Sequence, residues 1–302
     1  MKPQVLESAK MTVKQALLWM FLSMMWPAVS GNGRAFAGAD PSTGAGNVKA
    51  SSVTLSNGEP RLDPNSQKAH AQLLAKAKSG GIDIYFEGDS ITRRWGASDP
   101  QYKALLANWN ENFFGWNAAN FGWGGDTVRN VLWRIQNGEL DGVHPKIIVL
   151  MAGTNDLEPA PGGNGKETRV DEVARGLEAI LGVMQEKAPG AVIILMGITP
   201  RAVRGSGASM PIVNRVNERI SHLADGRRVR FLNINKQLED GNGGLLEGMT
   251  VDGLHLTVKG YQVWANALKP IFAELLGPPA GVDHAPPPTG DPSAQRPTVV
   301  PQ

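Results

Sequence analysis

The sequence predicts an α/β fold: a three-layer sandwich in which a five-stranded parallel sheet lies between helices. Two observations carry that expectation. Residues 82–86, 147–151 and 192–196 are short apolar runs of the kind that strands buried on both faces require. Between such runs, apolar residues recur at helical spacing. Strands that alternate with helices build a parallel sheet through crossovers.

Taken in order, the first strand, 82–86, leads into Glu87-Gly88-Asp89-Ser90-Ile91-Thr92. A weaker strand at 117–121 leads into Gly122-Trp123-Gly124-Gly125-Asp126. Residues 126–136 then place Val128, Val131, Leu132 and Ile135 on one helical face. The strand at 147–151 runs into Gly153-Thr154-Asn155-Asp156, and the helical pattern of 170–187 carries Val173, Leu177, Ile180, Leu181 and Met184. After the strand at 192–196 come a helix at 212–223, a weak strand at 229–233 and a last helix at 257–276. Each block that could carry chemistry follows a strand, at the carboxyl edge where open α/β sheets bind their ligands.

The flanks read differently. Lys2, Lys10 and Lys14 precede an uncharged apolar run at 16–26, and Ala35-Phe36-Ala37 is a small-x-small cleavage pattern. Residues 1–37 are therefore expected to be a secretory signal, with export to the periplasm or exterior. The other reading, a retained anchor, needs about 20 apolar residues. Residues 38–60 are rich in Gly, Ser, Ala and Thr and read as a flexible lead-in to a domain at 61–276. Residues 277–302 hold eight prolines and read as an extended, unpacked tail.

Among 302 residues, 41% are hydrophobic and 19% charged, enough for a sizeable core. The net charge of +2 falls to about −1 without residues 1–37, so nothing in the charge balance argues for a nucleic-acid partner. There are no cysteines, so neither a disulfide framework nor a thiolate zinc site is possible.

The candidate site comprises four blocks. Ser90 ends a strand and opens a helix, where backbone N–H groups and the helix dipole surround its hydroxyl. A serine needs a base. His255 lies three residues after Asp252, a spacing at which the carboxylate can hold Nδ1 and leave Nε2 for Ser90. His70, His144, His222 and His284 lack such a partner and read as structural or solvated. Gly125 and Asn155 could offer a backbone N–H and a side-chain NH₂ to a developing oxyanion, beside the N–H of Ser90. Singly, Gly122-x-Gly124-Gly125 could be a tight turn or a phosphate cradle, and Asn155 an Asx turn. The glycines do not match the dinucleotide spacing.

Gly88-Asp89-Ser90, the glycine block, Gly153-Thr154-Asn155-Asp156 and Asp252-Gly253-Leu254-His255 together resemble the four blocks of the GDSL, or SGNH, hydrolases, over about residues 80–275. The run from Asn120 to Asp126, with Val131-Leu132-Trp133-Arg134 and Asn137-Gly138-Glu139-Leu140, is similar to the branch that holds the catalytic subunits of intracellular platelet-activating-factor acetylhydrolase. The resemblance implies a flavodoxin-like fold and ester hydrolysis without metal or cofactor. It implies Ser90 as nucleophile, His255 as base, Asp252 as its orienting acid, and Ser90, Gly125 and Asn155 as oxyanion donors. It also hints at a homodimer. Ile91 replaces the leucine of the first block and remains bulky and aliphatic.

Ile91, Thr154 and Leu254 adjoin the catalytic positions, and if they wall the acyl side the pocket is small and favours acetyl. Trp95 and Trp123 could stack on a sugar at the alcohol side, or simply pack. Arg93 and Arg94 could meet an anionic substrate or be solvated. An exported short-acyl esterase would suit O-acetylated carbohydrate. The alternatives are a lysophospholipase or thioesterase, for which the polar loops 157–168 and 201–210 are poor lips, a non-catalytic carbohydrate-binding module, and acyl transfer to a sugar.

Overall fold

A computed structural model describes residues 57–157, 166–203, 207–208, 210–241 and 244–295. The five parallel strands are β1 (Ile84–Gly88), β2 (Ala118–Asn120), β3 (Ile147–Met151), β4 (Val192–Met196) and, after a two-stranded antiparallel pair β5 (Ala202–Val203) and β6 (Gly207–Ala208), β7 (Val229–Leu232). Their order is β2-β1-β3-β4-β7. The chain therefore reverses its direction of travel across the sheet between β1 and β3, and a ligand crevice is expected at their carboxyl ends.

Among the described residues eight α-helices accompany the strands: α1 (Pro64–Lys78), α2 (Ser90–Trp95), α3 (Lys103–Phe113), α4 (Val128–Arg134), α5 (Lys166–Lys187), α6 (Met210–Ser221), α7 (Asn235–Leu238) and α8 (Val258–Leu276). Alternate strand residues face opposite layers, because successive Cβ atoms do. Tyr85, Ile148 and Leu195 pack with Leu73 of α1, Val131 of α4, Leu177 of α5 and Val213 of α6. Ile84, Phe86 and Val149 pack on the other side with Trp95 of α2, Phe113 of α3 and Trp264 of α8. Among the described residues no helix is long and apolar enough to cross a membrane.

The expected strands are present; those at 147–151 and 192–196 have the expected ends and the other three have shifted ones. The first starts at Ile84 rather than 82 and continues through Gly88. α1 and α3 have no counterpart in the sequence reading. α1 is mostly polar and buries its apolar side chains only at Ala69, Leu73 and Ala77, one per turn. Its start is set by Asp63, whose side chain accepts the N–H of Ser66, followed by Pro64 in the first turn.

The tail corrects the sequence reading. Residues 277–295 lie along the domain instead of extending away from it. Gly277 accepts the indole N–H of Trp116 at 3.1 Å, and Asp283 accepts the backbone N–H of Gly115 at 2.6 Å. Thr289 accepts the N–H of Ser98 at 3.1 Å, and Asp291 accepts the side-chain N–H of Asn65 at 2.9 Å. Composition suggested disorder because the segment has few large apolar side chains. It is held instead by backbone and carboxylate hydrogen bonds, and its prolines have little freedom to lose. The lead-in also joins the domain early: Glu59 donates its N–H to the carbonyl of Arg129 at 3.0 Å. The proposed signal at 1–37, residues 158–165 of the first loop and residues 204–206 and 209 of the second lie outside the described residues.

Candidate active site

β1 ends in a turn that only glycine fits. A Cβ on Gly88 would stand 2.2 Å from the carbonyl oxygen of Met151 and 2.4 Å from Oγ1 of Thr92. Asp89 then caps α2 by accepting the N–H of Ile91 at 2.9 Å. Burial pushes the Asp89 carboxyl up to about 7, against the pull of that hydrogen bond. Ser90 opens the helix, so its own N–H has no intrahelical acceptor.

The loop before α8 brings the other two side chains. Nε2 of His255 is 2.9 Å from Oγ of Ser90, and Nδ1 is 2.7 Å from Oδ2 of Asp252. Oδ1 of Asp252 accepts the backbone N–H groups of Leu254 at 3.1 Å and His255 at 2.8 Å. Both carboxylate oxygens thus hold the imidazole and the loop that carries it. Burial lowers the pKa of His255; Asp252 opposes this, while Arg94 and Arg201 add to it. Burial also pushes Asp252 up, but its hydrogen bonds from His255 outweigh this and hold it below the usual range. A neutral imidazole facing a hydroxyl, with a carboxylate behind it, can take the hydroxyl proton.

The glycine block passes directly against the serine: a Cβ on Gly124 would lie 3.9 Å from Cβ of Ser90. Gly125 has φ of +80°, a conformation that favours glycine. Asn155 follows β3, and its Nδ2 donates to the carbonyl of Asp126 at 2.8 Å, which fixes the amide while leaving its second N–H. Asp156 accepts the N–H of Val128 at 3.1 Å and so ties the same block to the start of α4. Among the described residues no group of three or more His, Asp or Glu is placed to hold a metal ion.

The residues expected to line the substrate fare less well. Ile91 is 1% exposed and belongs to the core between the sheet and α8. It is therefore not an acyl wall. Trp95 is fully buried, stacks on Tyr261 at 4.9 Å and donates its Nε1 to Asn108 at 2.9 Å. Trp123 is buried too: its Nε1 donates to Ser66 at 2.8 Å and the guanidinium of Arg93 covers its ring at 4.9 Å. Neither tryptophan offers a face to a sugar. In both cases proximity in sequence to the nucleophile pointed to the cleft, whereas the helical phase of α2 and the contacts of α1 turn the side chain inward. Thr154 is buried, with its carbonyl and hydroxyl held by Arg201, and Leu254 is half-buried against the same core. Arg93 is taken up by Asp99 at 2.8 Å, while Arg94 stands 3.9 Å from Asp252.

Sequence reasoning gave no role to three arginines. Arg61 donates to the carbonyl of Gly124 at 3.1 Å, Arg201 grips Thr154, and Arg134 sits buried beneath the glycine block. For Arg134 a signal was available: it lies three residues after Val131, on the helix side that turns inward.

A family model described as GDSL-like lipase/acylhydrolase matches residues 86–263, which contain Ser90, Gly125, Asn155, Asp252 and His255. The chain belongs to that family. As a GDSL-like acylhydrolase it is a carboxylic ester hydrolase. Over 221 residues it is 32% identical to the platelet-activating factor acetylhydrolase IB subunit alpha2 of Homo sapiens, covering 71% of this chain and 86% of that one. The alpha1 subunit of Bos taurus is 31% identical over 224 residues, covering 74% and 89%. Among solved structures, one from Streptococcus pneumonia named for platelet activating factor superposes with a TM-score of 0.57 at 26% identity, covering 68% of this chain and 92% of that one. A GDSL-like lipase from Bacteroides thetaiotaomicron superposes with a TM-score of 0.54 at 20% identity, covering 70% and 98%, and supports the fold.

Proposed function

We propose that this GDSL-like hydrolase is a serine esterase for short acyl groups, acetyl first among them. The observation that carries the reading is the line of contacts from Ser90 through His255 to Asp252, 2.9 Å and 2.7 Å long. Within it, His255 takes the proton of Ser90, whose oxygen attacks the ester carbonyl. The N–H groups of Ser90 and Gly125 and the free N–H of Asn155 receive the oxyanion. His255 then protonates the departing alcohol, and water repeats the sequence on the acyl-enzyme.

The preference for acetyl is supported by the two relatives above, both named as acetylhydrolases and each more than 30% identical. With Ile91 in the core and Thr154 buried and held by Arg201, the half-buried Leu254 remains the candidate for shaping the acyl side. O-acetylated carbohydrate is the first natural substrate class to test. Its support is the expected export of the chain, since Trp95 and Trp123 no longer speak for it.

The test is hydrolysis of p-nitrophenyl acetate, butyrate and octanoate by the wild type beside Ser90→Ala. Acetate cleaved fastest, with an inert Ser90→Ala, upholds the proposal. Octanoate cleaved fastest replaces it with a lipid or thioester hydrolase. Equal rates for wild type and variant remove the catalytic roles assigned to these residues.

A further inference from the structure

We propose that Arg134 is a positioning residue for the oxyanion side of the site, holding the glycine block and Asn155 where they can receive charge. This rests on the proposed roles of Gly125 and Asn155. Arg134 ends α4 and is 4% exposed. A guanidinium has five N–H donors in one plane, and all five find acceptors here. Nε donates to Oδ2 of Asp126 at 2.7 Å. One terminal nitrogen donates to the carbonyl of Phe121 at 2.8 Å and to Oε2 of Glu139. The other donates to Oε1 of Glu87 at 2.6 Å and to the carbonyl of Gly88 at 3.1 Å.

These acceptors are the pieces that must stay in register for the chemistry. Gly88 belongs to the turn that presents Ser90. Phe121 and Asp126 bracket the block that carries Gly125. The carbonyl of Asp126 accepts the amide N–H of Asn155 at 2.8 Å, so the side chain gripped by Arg134 belongs to the residue that aims the Asn155 amide. The carbonyl of Gly88 also accepts the N–H of Trp123 at 3.0 Å, which closes the loop onto the turn. On its outer face Asp126 meets Arg61 at 3.5 Å. Oxyanion donors stabilise a transition state only if they are fixed before charge develops. A planar fork can fix three segments at once, and a lysine, with three donors and no plane, cannot reproduce it.

Three carboxylates surround Arg134, so deleting its charge would endanger folding. The test therefore begins with Arg134→Lys, which keeps the charge. With p-nitrophenyl acetate, kcat should fall about 100-fold, the lower end of the loss for one oxyanion donor, while KM stays within about twofold. Affinity for a trifluoromethyl ketone, which mimics the tetrahedral intermediate, should fall in parallel. Titration of reactive Ser90 with an organophosphonate counts the folded sites. Unchanged kcat per titrated site, or unchanged ketone affinity, overturns the proposal and leaves Arg134 a purely structural residue. Should Arg134→Lys not fold, Asp126→Asn tests the same link with little change of shape. A parallel fall in its kcat and ketone affinity supports the proposal, and wild-type values overturn it. A wild-type chain that does not cleave the ester overturns the esterase reading and this one with it. An active wild type with an unaffected Arg134→Lys overturns this one alone.

Discussion

Asp252 holds His255 at two points: Oδ1 accepts its backbone N–H at 2.8 Å and Oδ2 meets its Nδ1 at 2.7 Å. Orientation and tautomer are thus set by one side chain. In Asp252→Asn the amide can keep the first contact but would present an N–H donor to Nδ1. The proton then sits on Nε2, which no longer accepts from Ser90. The expected loss in kcat on p-nitrophenyl acetate is about 10³–10⁴-fold, with little change in melting temperature. A loss under tenfold would show that Asp252 does not orient the base.

The pH dependence follows from the same group. Burial lowers the His255 pKa, so its neutral, proton-accepting form persists below the 6.5 of a free imidazole. The kcat/KM for a neutral acetyl ester should rise with pH through a midpoint below 6.5 and then level off. Arg94→Gln removes one of the charges that push His255 down, and should move that midpoint upward. A midpoint that stays put would assign the titration to another group.

The tryptophans give a stability prediction rather than a specificity one. Trp95→Ala should destabilise the fold by about 3–5 kcal/mol in urea unfolding, as large core truncations do. Trp123→Phe loses the hydrogen bond to Ser66, a cost of about 1 kcal/mol, and should leave KM for an acetylated sugar unchanged. A several-fold rise in that KM would restore the sugar-stacking role.

Lys76 provides a pH-dependent probe of the sheet edge. Its Nζ donates to the carbonyl of Asn120 at 2.8 Å, and burial, partly opposed by Glu139, lowers its pKa from 10.5 to about 7. Between these values the unfolded chain holds a proton that the native state has released, so stability rises with pH across that window. Lys76→Met lacks this term. Its stability relative to wild type should fall as pH goes from 7 to 10, read from urea midpoints. A constant difference would place the Lys76 pKa near its ordinary value.

What was legible in the sequence depended on repetition and on rare pairings. The strands at 147–151 and 192–196 announce themselves because every residue is apolar, as burial between two helical layers demands. Asp252 and His255 stand out because a carboxylate three residues before a histidine can fold back on it. α1 was silent because one small apolar contact per turn leaves no continuous stripe. Ile91, Trp95 and Trp123 were misplaced because adjacency along the chain says nothing of which way a side chain points. Arg134 stood in a family-like run without a role of its own, because a charged residue suggests the surface until its five acceptors, gathered from three segments, are seen together.

The hydrogen bond between Asn65 and Asp291 joins residues 226 positions apart, one in the first turn of α1 and the other just before the last helical turn of the described chain. The domain is consequently a closed ring in all but covalent terms. Its termini could be spliced and the chain reopened elsewhere, at an exposed connection such as Asp225-Gly226, without asking any strand to change neighbours. A catalytic block from the start of the ring and one from its end would then be made in a different order and still meet.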